Sequence, residues 1–255
     1  MSKEFVKNTG IYIIMSFLSQ GMIFLLWIVL AWRLPPSQIG VYALIMFVIE
    51  FFSVISIFGL QSAITRFYYA QEKVSSVFSN AVIIFFGSSF LSLILFFLTA
   101  RLIPILIPGL SNILEENLIL FLVIIFANSI TNFALTHYTA LKKAVFYGKL
   151  QLLKTLFFCL LSLILIYLGF GILGIFYALL FSSLMVAAIF VLIERKTMSF
   201  QIISPQIIKN ITSYGFPLMI YSAVGIIVTY FSRFLLDRYT DLATLGIYSF
   251  FLMLA

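Results

Sequence analysis

Apolar stretches of about 20 residues recur along the whole chain and constrain its fold more than any other feature. As a helix, such a stretch crosses the roughly 30 Å hydrocarbon core of a bilayer. Of the 255 residues, 64% are hydrophobic and 9% are charged, whereas soluble domains carry about 25% charged residues. The sequence therefore predicts an all-α polytopic membrane protein. The predicted spans are 10–32, 39–60, 77–100, 118–141, 150–169, 171–193 and 216–236, with an eighth beginning near Gly246.

Charged residues are distributed unequally between the two predicted sides of the membrane. All nine lysines, with Arg66 and Arg195, are assigned to the side of the N-terminus. The connections on the other side combine Arg33, Arg101, Arg233 and Arg238 with Glu115, Glu116, Asp237 and Asp241. By the positive-inside rule this predicts a cytoplasmic N-terminus. The basic residues stand singly or in pairs between spans, a pattern of topology signals and not of nucleic-acid binding.

Two segments of the chain resemble each other. RLPPSQIGVYALIMF (33–47) and RYTDLATLGIYSFFLML (238–254) share a span end, a short turn and a helix that opens Gly-x-Tyr. Gly40 and Gly246 are 206 residues apart, and Gly10 and Gly215 are 205 apart. This pattern predicts a parallel repeat about an axis along the membrane normal, although chance similarity is an open alternative.

The repeat predicts two lobes. Residues 1–209 would form a six-helix lobe, and 210–255 would begin a second one. On this interpretation the sequence is an incomplete part of a chain of roughly 410 residues or more.

One carboxylate, Glu50, lies deep within the second predicted span, FVIEFFSVISIFGL (47–60). An ionised side chain at the centre of a span costs at least about 2.5–3.5 kcal/mol on insertion scales. Glu50 is therefore expected either to hold helices together while protonated, or to pair with a base or carry a proton or cation during coupled transport. Ser53, one turn away, favours an inward-facing polar stripe.

Other polar residues line up along single helix faces. Asn128 and Asn132 begin a stripe that continues through Thr136 and Thr139, and it would serve either helix packing or a water-filled cavity. Gln20 shares a face with Ser16. His137 is expected at the membrane interface, near the end of its span.

The sequence offers little for catalysis. It has one histidine and one cysteine, no Ser-His-Asp set, no metal-ligand cluster and no glycine-rich phosphate loop. We therefore expect no enzyme activity, no metal and no cofactor.

Three stretches of the chain have the residue order of a known family. The most specific is YGFPLMIYSAVGIIVTYFSRFLLDRYTDLATLGIYSF (214–250), and the other two are 139–192 and 57–70. They resemble spans of Wzx-type polysaccharide flippases, in the polysaccharide-transport (PST) branch of the MOP superfamily, which also includes multidrug and toxin extruders (MATE) and lipid II flippases. The resemblance covers essentially the whole chain. Ser232 and Ile57 depart from it, because the family often has an acid at these places.

The resemblance implies a two-lobe, MATE-like flippase of the bacterial inner membrane. It would move undecaprenyl-diphosphate-linked oligosaccharide from the cytoplasmic to the periplasmic leaflet by alternating access during synthesis of surface polysaccharide, such as O-antigen or lipopolysaccharide. Membrane lipids and other polysaccharide assembly proteins are the further implied partners, without nucleic acid. Candidate diphosphate ligands are Arg66 and Arg233, with Arg33 at the outer rim; candidate sugar contacts are Gln20, Asn128 and Asn132; Glu50 is the candidate for ion coupling.

Three other functions stay open. A MATE-type cation antiporter would need a more acidic cavity, and the span-seven motif disfavours a lipid II flippase. A membrane glycosyltransferase or polymerase would need a larger outer loop than 101–117.

Overall fold

The part of the protein that the computed structural model describes, residues 3–70, 74–195 and 203–254, consists of helices and short connections. The helices are α1 (Lys3–Arg33), α2 (Pro36–Ile57), α3 (Leu60–Ala70), α4 (Val74–Thr99), α5 (Ile103–Leu106), α6 (Ser111–Glu116), α7 (Leu118–Ala140), α8 (Ala144–Tyr167), α9 (Gly171–Glu194), α10 (Pro205–Tyr239) and α11 (Leu242–Leu254). Lys73 and Lys196, two of the predicted topology signals, lie outside the described residues, as do the side chains of Lys3 and Lys7.

Seven segments of the described chain are long and apolar enough to cross a membrane, which confirms the polytopic all-α class. They are Gly10–Arg33, Pro36–Tyr69, Val74–Thr99, Leu118–Ala140, Ala144–Tyr167, Gly171–Glu194 and Pro205–Tyr239. The face of the bundle at which α1 begins is called the N-terminal face below.

The second span is longer than predicted and is broken inside. Helix α2 ends at Ile57, Phe58 and Gly59 have φ angles of 53° and 67°, and α3 then continues to Ala70. A positive φ is easy for glycine and unfavourable for phenylalanine, so packing has to hold this break. Gly215 of α10 packs directly against this break. The packing is so close that a methyl group on Gly215 would lie 2.6 Å from the Phe58 carbonyl oxygen.

Helices α2 and α11 cross in close backbone contact. A methyl group on Gly40 would collide with the carbonyl oxygen of Leu242, and one on Gly246 would collide with that of Pro36. The contact is reciprocal, because Pro36 and Leu242 are separated by the same 206 residues as the two glycines. Reciprocal contacts are what two-fold-related elements make. They agree with the predicted repeat, while the division into lobes stays a prediction.

The first two spans of each predicted repeat also make matching contacts. Trp27 packs edge-on against Tyr42, with ring centroids 4.8 Å apart. In the second copy, the hydroxyl of Tyr248 donates a hydrogen bond to Ser232 Oγ at 2.9 Å. Trp27 and Ser232 are 205 residues apart, and the two tyrosines are 206 apart. The same pair of positions therefore holds the helices together, by ring packing in one copy and a hydrogen bond in the other.

Gly40→Ala is expected to lower the thermal unfolding temperature of the detergent-solubilised protein, because the added methyl group forces α2 and α11 apart. The matched control is Gly87→Ala, since nothing lies within 4 Å of a methyl group at that glycine of α4. The control should be neutral or stabilising, because alanine is about 1 kcal/mol better than glycine in a helix. Equal unfolding temperatures for the two variants would contradict the close crossing.

Candidate functional site

A polar recess lies between α3, α7 and α8, in the half of the bundle nearer the N-terminal face. Its volume is about 280 Å³. On α3 and α7, residues one turn apart present their polar groups together, in agreement with the stripe predicted on α7. The lining residues are Gln61, Thr65, Asn132, Leu135, Thr136, Thr139 and Tyr147. Asn132, a predicted sugar contact, thus belongs to a cavity wall.

Asn128, one turn deeper on α7, joins three helices. Its Nδ2 donates a hydrogen bond to Ser53 Oγ on α2 at 3.3 Å, and its Oδ1 accepts one from Lys154 Nζ on α8 at 3.4 Å. Asn128 lies close to the middle of its span, about 15 Å along the axis from Leu118. The residue predicted to contact sugar therefore bridges a lysine and a serine in a part-buried position between α2, α7 and α8.

Glu50 lies on α2 one turn from Ser53 and faces α10. Tyr230 and Arg233 of α10 lie close enough to act electrostatically on its carboxyl group, although among the described residues neither forms a direct ion pair with it. The guanidinium carbon of Arg233 lies 4.4 Å from the centroid of the Tyr230 ring, a cation–π geometry. Glu50 and Arg233, assigned separate roles from the sequence, therefore belong to one cluster.

Arg233 is the most buried arginine of the predicted site, with 8% of its surface exposed. Its Nη1 donates a weak hydrogen bond to the Thr229 carbonyl at 3.5 Å, while Nε has no partner among the described residues. A buried guanidinium with an unused donor is suited to binding an anion, because its planar fork matches phosphate oxygens.

The two clusters form a continuous polar band across four helices. It passes from Lys154 on α8 through Asn128 on α7 and Ser53 and Glu50 on α2 to the cluster on α10. In hydrocarbon such groups need partners within the protein, so the band holds the helices together. It also offers amide, hydroxyl and cationic groups at mid-depth, which could solvate a polar molecule there.

The remaining predicted ligands lie away from the band. Arg66 is exposed, and its guanidinium carbon lies 4.5 Å from the Tyr214 ring centroid, towards the N-terminal face. Arg33 stacks similarly on Tyr167 at 4.4 Å, at the opposite face. Gln20 is exposed on α1.

The depth of Gln20 follows from the packing of α1 beside α8. Met15 of α1 packs against Gly148 of α8. The Cys159 thiol of α8 donates a weak hydrogen bond to the Met22 carbonyl oxygen, with Sγ 3.7 Å from the oxygen. Gln20 lies between these methionines, which places it near the level of Lys154.

His137, predicted at the membrane interface, lies in the last turn of α7 and is enclosed by other helices. The residue is 3% exposed, its Nδ1 is hydrogen-bonded to the Tyr68 hydroxyl at 2.8 Å, and its Nε2 lies 3.7 Å from Glu194 Oε1. Helices α3 and α9 supply these partners and cover this end of α7. Since the partners are 69 and 57 residues away in the chain, no local pattern could reveal them.

Sequence reasoning also missed Lys154 and Tyr230. Lys154 was counted among the topology signals, although it lies inside the predicted span 150–169, and that position was itself the available signal. Tyr230 carried no signal, because one tyrosine in an apolar helix is ordinary.

Glu50→Gln and Arg233→Gln are each expected to lower the unfolding temperature, since each leaves the other charge without its counter-charge in the bundle. The double variant should lose less than the sum of the two single losses, a coupling that a double-mutant cycle measures. Arg238→Gln, at an exposed arginine of α10, is the matched control and should not couple to Glu50. Additive losses would show that the two charges do not interact.

Comparison with known proteins assigns the chain to a family. Searches of the curated proteins and of the solved structures found no match. The family model of the polysaccharide biosynthesis protein matches residues 5–255, nearly the whole chain. The seven membrane-spanning helices and their internal polar band are therefore those of a member of the polysaccharide biosynthesis protein family.

Proposed function

We propose that the protein is a flippase that moves undecaprenyl-diphosphate-linked oligosaccharide across the bacterial inner membrane during surface polysaccharide synthesis. The observation that carries this proposal is the polar band across α8, α7, α2 and α10. Family membership supports a role in polysaccharide synthesis. A lipid-linked sugar needs such a band, because its head group must cross a region that lacks water.

The residues of the band and recess match the two parts of such a head group. Asn128 and Asn132, with the threonines of the recess, supply the amide and hydroxyl groups that sugar hydroxyls bind. Gln20 is placed at a similar depth on α1. Arg233 supplies a buried guanidinium for the diphosphate, while Arg66 and Arg33 would attract it at the two faces.

Alternating access would require α10 to move relative to α2. In this proposal residues 1–209 form the first lobe and 210–255 begin the second, and the close contacts Gly40–Gly246 and Gly59–Gly215 are where they meet. Glu50 and Arg233 face each other across the same boundary. Their contact would hold one state of the cycle, and protonation of Glu50 would weaken it.

The environment of Glu50 disfavours a cation antiporter. A carboxylate that captures a cationic drug has to face an open cavity, whereas Glu50 already interacts with Tyr230 and Arg233. The Lys154 ammonium in the same band would repel a cation further.

Glu50→Gln, introduced into the gene in the source organism, is expected to impair export of lipid-linked sugar while membrane insertion stays normal. The physical reason is that glutamine cannot alternate between a charged and a neutral form. The measurement is the amount of surface polysaccharide, together with the fraction of undecaprenyl-linked sugar left on the cytoplasmic leaflet.

Glu116→Gln is the control, since this exposed carboxylate ends α6, outside the seven membrane-spanning segments. If the Glu50 variant exports lipid-linked sugar normally at every pH, Glu50 has no coupling role and serves only in helix packing. Normal surface polysaccharide after deletion of the whole gene would overturn the flippase proposal itself.

A further inference from the structure

Lys154 is a lysine in the interior of a membrane-spanning helix. Helix α8 begins at Ala144, so Lys154 lies about 15 Å along its axis at 1.5 Å per residue. The side chain is partly buried, and Nζ makes one hydrogen bond, to Asn128 Oδ1 at 3.4 Å. Within residues 3–70, 74–195 and 203–254, no carboxylate is within ion-pair distance of it.

Arg233, the other deep cation, also makes no direct ion pair among the described residues, but it has a carboxyl group among its neighbours. It has the carboxyl of Glu50 nearby and the face of the Tyr230 ring at 4.4 Å. An ammonium group has three protons to donate, and a neutral amide oxygen satisfies one of them without supplying negative charge. Withdrawing a cation from water without a counter-ion costs free energy. An anion bound next to Lys154 would offset this cost.

The polar recess leads towards this lysine. Tyr147, in the recess wall, lies on the same face of α8 two turns before Lys154. On α7, Asn132 lies in the wall, and Asn128 lies one turn deeper. The Lys154–Asn128 pair thus lies beyond the recess, further from the N-terminal face along the same two helices.

Asn128 positions the ammonium group for a ligand. Its amide is oriented by donating to Ser53 Oγ at 3.3 Å, which directs Oδ1 at Lys154. Asn128 Oδ1 thus accepts one of the three ammonium protons of Lys154. The other two protons have no partner among the described residues. Phosphate oxygens are the strong acceptors that such a group binds.

We propose that Lys154, positioned by Asn128, binds a phosphoryl group of an anionic isoprenoid lipid at the middle of the membrane. The site is reached from the N-terminal face through the polar recess. This inference rests on the proposed flippase function and adds to it a mid-membrane phosphate site distinct from the arginines at the two faces. Asn128 acts in it as a positioning residue.

Binding of farnesyl diphosphate to the whole purified protein in lipid nanodiscs tests the site, with farnesol as the uncharged comparison. Lys154→Gln should weaken farnesyl diphosphate binding about tenfold or more, the loss expected for a charge-assisted hydrogen bond, and leave farnesol unaffected. Lys154→Arg should retain most of the affinity. Lys149→Gln is the matched control, because Lys149 is exposed near the start of the same helix.

A second measurement uses the unaltered protein, so it does not depend on how a variant folds. Farnesyl diphosphate should slow reductive methylation of Lys154, read by mass spectrometry, and should leave Lys149 unaffected. Farnesol should protect neither lysine.

The outcomes separate the two proposals. If the protein prefers farnesyl diphosphate to farnesol but Lys154→Gln binds it normally and Lys154 is not protected, the Lys154 site is wrong and the flippase proposal stands. If the unaltered protein binds farnesyl diphosphate and farnesol equally, the Lys154 site is wrong. The flippase proposal is then contradicted as well, because its substrate is a diphosphate lipid.

Discussion

Hydrocarbon offers no hydrogen-bond partner, so a polar side chain within a membrane-spanning helix has to find one on another helix or in a polar recess. Asn128 meets this constraint by bonding to Ser53 on α2 and to Lys154 on α8. These two bonds fix which face of α7 points inward. The recess residues one and two turns away on the same face are oriented with it. The candidate site is thus a consequence of how the bundle satisfies its internal polar groups.

The glycines bring the helix backbones close enough for the band to form. Gly40 meets Gly246 where α2 crosses α11, and Gly59 meets Gly215 where α2 breaks beside α10. The second contact brings α10 close to α2, and further along the same pair Tyr230 and Arg233 reach Glu50. Small residues at helix crossings thus set the distance over which the charged cluster can act.

The two proposals assign different tasks to the two deep cations. Arg233 lies close to Glu50 across a helix boundary that would open and close in the proposed cycle, so its electrostatic environment would change with conformation. Lys154 lies between α7 and α8, both within the predicted first lobe, and its one partner among the described residues is a neutral amide. Alternating access of an anionic lipid requires a binding group on a stable part of the bundle, which Lys154 would supply. It also requires a charged pair that can switch at the boundary, which Glu50 and Arg233 would supply.

The sequence by itself determined the all-α membrane class and the approximate spans, because 20-residue apolar runs have few other stable arrangements. It also indicated the α7 stripe and the depth of Glu50, since both follow from helical spacing. The tertiary structure alone decided the partners: Arg233 for Glu50, Lys154 for Asn128, and Tyr68 with Glu194 for His137. Helical periodicity shows which face a residue occupies, but the rotation and packing of the helices decide which distant residue meets it.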